Sequence, residues 1–103
     1  MGFTDNRPNW LSEVIEQRRI VSDGPIPLDE RKAERDAIVA AIRGHPEGQR
    51  LAVMEALPDM VWAALGAAYH WEQESKRNPH LSMATPAIHA SQIIFSTERW
   101  NSE

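Results

Sequence analysis

The stretch DMVWAALGAAYHWEQESK, residues 59–76, decides the fold. Read as an α-helix, it spreads Met60, Val61, Trp62, Ala64, Leu65, Ala68, Tyr69 and Trp71 over well over half its circumference, far wider than the strip of a helix resting on a surface. The reading predicts a central helix. Trp62 and Tyr69 lie on one shoulder and Trp71 on the other, so two different neighbours have to receive them. The remaining side runs Ala63, Gly66, Ala67, His70 and Glu74, small first and then polar. A side of that kind meets water or admits another backbone.

The flanking segments supply the neighbours. Asp5 and Asn6 ahead of Pro8 are the cap-then-proline order of a helix start, which predicts a helix over residues 8–22 with Trp10, Leu11, Val14, Ile15 and Val21 on one arc. Asp23-Gly24 stops it, and Pro25-Ile26-Pro27 forces an extended connector. A second helix follows over 28–43, with Asp29 as its cap, Ile38, Ala41 and Ile42 as its core strip, and Ala33, Ala37 and Ala40 as a slim side. Gly44 ends it before the turn 45–48. Leu51, Met54 and Leu57 mark a short third helix over 47–57, and Pro58, whose ring clashes with a preceding helical turn, breaks it from the fourth. After Asn78-Pro79 and a loop, Thr85-Pro86 opens a fifth helix to about residue 97, with Ile88, Ser91, Ile94 and Phe95 on its face. Residues 92–100 also suit an extended arm, and a flexible tail is expected from about 98. The fold expected is all-α: a compact bundle of four to five short helices around the central apolar helix, about 59–76, in a single domain spanning 1–103.

Length and composition set further bounds. The chain has 103 residues, 42% hydrophobic and 25% charged, the composition of one globular domain. It has no cysteine, which removes disulfides, thiolate metal ligands and thiol catalysis. The longest apolar run, 60–69, is far short of the roughly 20 residues of a membrane span, and residues 1–10 lack the apolar core of a signal peptide. A soluble, cytoplasmic protein is expected, with no membrane partner. Net charge is −4, with eight Lys and Arg against nine Asp and Glu in residues 1–51 but three against six in residues 52–103. No basic stripe is present to release counterions from phosphates, so nucleic-acid binding is disfavoured.

Sharper chemistry is scarce. His70 and Glu74 stand four apart and project from one helix face, a spacing that can supply two metal ligands, with a third to come from His80 or His89 across the loop. No HExxH-type pattern accompanies them, and a solvated helix end is the preferred reading. Asp59, His70 and Ser75 are the types of a hydrolytic triad, but no strand-turn-helix context holds the serine. Arg18, Arg19, Arg31, Lys32 and Arg35 alternate with acids, as a mixed-charge solvated face does. Trp10, Trp62 and Trp71 are read as core packing. Trp100, beyond the periodic segments, either packs back or anchors an interface.

These residues predict no enzyme, no cofactor and no resident metal. They predict a small acidic protein-interaction module, an adaptor, assembly component or inhibitor that occupies a surface on a larger protein or on a second copy of itself. Phage-encoded inhibitors of nucleic-acid-binding machinery suit that description by analogy, not by motif. The residues expected at the interface are Ala63, Gly66, Ala67, His70, Glu74 and Trp100. The alternatives are a nucleic-acid-binding helical regulator using the arginines of residues 18–35, a homo-oligomeric structural protein, and a small metal-dependent enzyme.

Overall fold

Where each helix stops is set by which group takes the next backbone amide. The computed structural model describes residues 9–78 and 86–95. Within them lie α1 (Asn9–Arg18), α2 (Leu28–Gly44), a 3-10 turn (Pro46–Gly48), α3 (Gln49–Ala52), α4 (Leu57–Arg77) and α5 (Pro86–Phe95). All the regular structure described is helical, so the fold is all-α.

α1 ends at Arg18, four residues before the expected stop, because the amide of Ile20 is taken by the carboxylate of Glu34 at 2.6 Å. A helix would have sent that amide back to Glu16. Val21 therefore leaves the predicted arc and is 71% exposed, while Leu11 and Ile15 are fully buried. The connector continues through Ser22, whose hydroxyl accepts the Gly24 amide. Neither Gly24 nor Gly44 adopts the left-handed conformation of a glycine stop; none of the described glycines has a positive φ.

α2 begins one position ahead of the expected cap. Pro27 caps it, its carbonyl accepting the Arg31 amide at 3.0 Å, while Asp29 and Glu30 sit in the first turn and complement the helix dipole. Its buried strip is Glu34, Ile38, Val39 and Ile42. Val39 replaces the expected Ala41 because α2 packs on both α1 and α4. After His45, the 3-10 turn doubles back beneath the end of α2 and buries Gly48.

The break at Pro58 is present as a corner: the segment Pro46–Ala52 and α4 stand at 104°. The third helix is shorter than the periodicity implies, and Leu57 belongs to α4. Val53, read as part of that helix, is 77% exposed at the corner.

Four helices close a ring. α1 packs on α2 and α5, and α4 packs on the same two. The core lies between them, built from Leu11, Ile15, Ile38, Val39, Ile42, Leu57, Val61, Leu65 and Ile94, with Leu51 of α3 at one end. α4 is thus one wall of the core and not an axis wrapped by the rest. α5 turns Ala87, Ala90, Ser91 and Ile94 inward, one step round from the predicted face, leaving Ile88 and Phe95 half-buried. Ala64 and Ala68 of α4 and Ala87 and Ala90 of α5 are all buried, and these two helices share the most extensive contact in the ring. Small side chains let helix axes approach closely, and here these small residues lie inside the core.

The aromatic residues edge that core and do not fill it. Trp62 of α4 lies under Arg35 of α2, 5.4 Å from the ring centre, and Tyr69 lies under Arg31 at 5.3 Å. Trp71, on the other shoulder, stacks on His89 of α5 at 5.4 Å. The expected split between two neighbours is what places α4 between α2 and α5. Trp10 stacks on His45 at 4.1 Å, and His45 in turn accepts the Glu47 amide through Nδ1, capping the 3-10 turn.

Candidate interaction surface

With α2 against one shoulder of α4 and α5 against the other, a third side remains uncovered. Asp59, Ala63, Gly66, His70 and Arg77 are exposed along it, with Ala67 and Glu74 half-buried at its rim. Of the residues read from sequence as an interface, Ala63, Gly66 and His70 lie on this strip and Ala67 and Glu74 border it. A Cβ built on Gly66 meets nothing within 4 Å. From Ala63 to Ala67 the strip is therefore a nearly bare helical backbone, with His70 exposed on the next turn, and charge flanks it: Asp59 at one end, and at the other Glu74 paired with Arg77 at 3.4 Å. Trp100, the remaining candidate, lies outside the described residues, as do His80 and the tail from 98.

The sharper chemistry is not assembled. Asp59 and His70 are eleven residues apart on a single helix, about 16 Å along its axis at 1.5 Å per residue. Ser75 donates its hydroxyl to the carbonyl of Glu72 one turn back. Glu74 is engaged with Arg77, and His89 faces Trp71 on the other side of α4. Among the described residues no three His, Asp or Glu side chains gather in a metal-binding group.

The arginines proposed as a patch are divided among acids and rings. Arg19, with its side chain 7% exposed, holds Glu72 at 2.8 Å; Arg31 holds Glu34 at 2.7 Å; Arg35 holds Asp36 at 2.9 Å. A shallow hollow of about 350 Å³ lies between α1 and α5, lined by Ser12, Glu13, Glu16, Gln17, Ala87 and Ile88. The hydroxyl of Ser12, which lines it, meets that of Ser91 at 3.0 Å, and Ser91 also donates to the Ile88 carbonyl. Sequence reading missed both this hollow and the burial of Glu34. Glu34 stands four residues before Ile38 on the same strip, which is the signal that could have found it.

No family model, no curated protein and no solved structure matches this chain. No single described helix is long and apolar enough to cross a membrane.

Proposed function

We propose that this protein is a protein-interaction module that docks its partner along the uncovered side of α4 and acts by occupying a surface, without chemistry of its own. The observation that carries the reading is the nearly bare backbone at Ala63 and Gly66, exposed between two helices that already use both shoulders of α4. A partner helix can approach such a strip closely, since no side chain longer than a methyl stands at its middle. The acidic balance of residues 52–103, with Asp59 and Glu74 on or beside the strip, favours a partner with basic residues flanking its contact. Adaptor, assembly component and inhibitor all act in this way.

The test is affinity capture from the native source, with wild type and Gly66→Arg compared on the same resin. The arginine projects into open space, so the fold is expected to survive, with a melting temperature within a few degrees of wild type. Proteins held by wild type and lost from Gly66→Arg support the reading; an unchanged set removes this side of α4 as the docking surface.

A further inference from the structure

The polar groups around the hollow between α1 and α5 are nearly all acceptors. Ser12, Glu13, Glu16 and Gln17 line it from α1, and Ala87 and Ile88 from the first turn of α5. Ser91 donates its one hydroxyl hydrogen to the Ile88 carbonyl at 2.9 Å, so the 3.0 Å contact between Ser12 and Ser91 is made by the hydrogen of Ser12. Ser12 therefore meets the hollow with an oxygen lone pair and nothing left to donate. Glu13 is exposed and makes no ion pair among the described residues. Glu16, its side chain 60% exposed, meets only Arg19, at 3.8 Å, and Arg19 holds Glu72 more closely, at 2.8 Å. Gln17, whose oxygen accepts from Arg18 at 3.1 Å, contributes the one free side-chain donor of the lining. Opposite these groups, Ala87 and Ile88 present only hydrocarbon side chains.

We infer that this hollow binds a lysine side chain of a protein partner, its ammonium among Ser12, Glu13 and Glu16 and its methylenes against Ala87 and Ile88. Residues 12 and 16 stand four apart and 13 and 16 three apart, so the three acceptors are neighbours on the surface of α1. An ammonium carries three rotatable donors and no acceptor, which suits acceptor groups on three separate side chains. A guanidinium holds its donors in a flat fork, matched to the two oxygens of one carboxylate. The alkyl stem of a lysine packs along apolar surface while its head stays with charge. Ala87 and Ile88 supply that surface. A hollow of about 350 Å³ takes one extended side chain, whereas a helix with its side chains is roughly 10 Å across and stays outside. The net charge of −4 favours the approach of a basic partner. No lining residue belongs to α4, and the hollow works whether or not that helix docks a partner.

NMR chemical-shift titration of the full chain at low ionic strength tests this, with the capped tripeptide Gly-Lys-Gly as probe and its norleucine, acetyl-lysine and arginine counterparts as comparisons. Saturable shifts are expected at Ser12, Glu13, Glu16, Ala87 and Ile88, with a dissociation constant in the millimolar range for lysine and weaker binding of the other three. Glu13→Gln and Glu16→Gln, both at exposed positions, should each weaken lysine binding about two- to fivefold, the worth of one solvent-exposed ion pair. The absence of saturable shifts at these residues overturns the site. Norleucine or acetyl-lysine bound as tightly as lysine overturns the role of the ammonium, and arginine bound as tightly overturns the choice of lysine. Binding unchanged in both glutamine variants, or shifts that fall equally on Asp59 and Glu74 of α4, shows attraction by overall charge alone and also overturns the site. Free cadaverine bound more tightly than the tripeptide would give the hollow to a small soluble amine and overturn the protein partner.

Discussion

A Cβ added at Gly48 would land on the carbonyl of Ile42, because the 3-10 turn folds back beneath the last turn of α2. The obstacle is backbone and cannot rotate away, so Gly48→Ala is expected to destabilise the protein by about 1–3 kcal/mol, the usual cost of overpacking. Gly66 presents the opposite case, an exposed glycine in a helix interior with open space around it. Gly66→Ala should stabilise by about 0.5–1 kcal/mol through the entropy of the unfolded chain. Urea unfolding of the two variants checks both signs, and equal shifts would show that the 3-10 turn tolerates the methyl. Sequence could not separate these glycines by environment: Gly48 was legible as a turn residue, but the carbonyl it must clear lies six positions upstream. Glu34 was hidden for the same reason. Its partner is the amide of a residue 14 positions away, and an acid beside Arg31 and Arg35 reads as part of a solvated face until the chain has folded.

At the level of helices, apolar periodicity located each element, and errors gathered at the ends, where tertiary partners compete for the terminal amides. α1 stops where Glu34 intervenes, and α5 rotates its face inward to bring Ala87 and Ala90 against α4. The corner before α4 shows which feature holds an element boundary in place. Pro58 looks responsible in the sequence, yet it occupies the first turn of α4, where a helix has no acceptor for its amide anyway. The corner itself is tied by Met54 donating to the Leu51 carbonyl and Leu57 donating to that of Met54, with Leu51 and Leu57 both buried. Pro58→Ala should therefore leave far-UV circular dichroism unchanged and cost less than about 1 kcal/mol, mostly from the unfolded state. Leu57→Ala, which empties a site with no solvent exposure, should cost about 2–5 kcal/mol. A gain of helix signal in Pro58→Ala would mean that α3 and α4 had fused, and that the proline was holding them apart.

For the whole molecule, sequence supplied the all-α class and the core faces of α1 and α4, though not that of α5, because these follow from the period of apolar residues along the chain. It did not supply the closed ring, since the order in which four amphipathic helices meet depends on contacts that no single helix records. That ring also limits what the open side of α4 can do. Its exposed residues, Asp59, Ala63, Gly66, His70 and Arg77, form a strip one helix wide. A specific, stable interface buries about 800 Å² on each partner, more than so narrow a strip offers a second copy of itself, whereas a larger partner can reach past it onto α2 or α5. Light scattering at tens of micromolar should accordingly return the mass of one 103-residue chain, and the melting temperature should not rise with protein concentration, as it would if folding were linked to dimerisation. A mass of two chains that reverts to one in Gly66→Arg would transfer the strip from a foreign partner to self-association. A two-chain mass unchanged by that substitution would place the self-contact on another face.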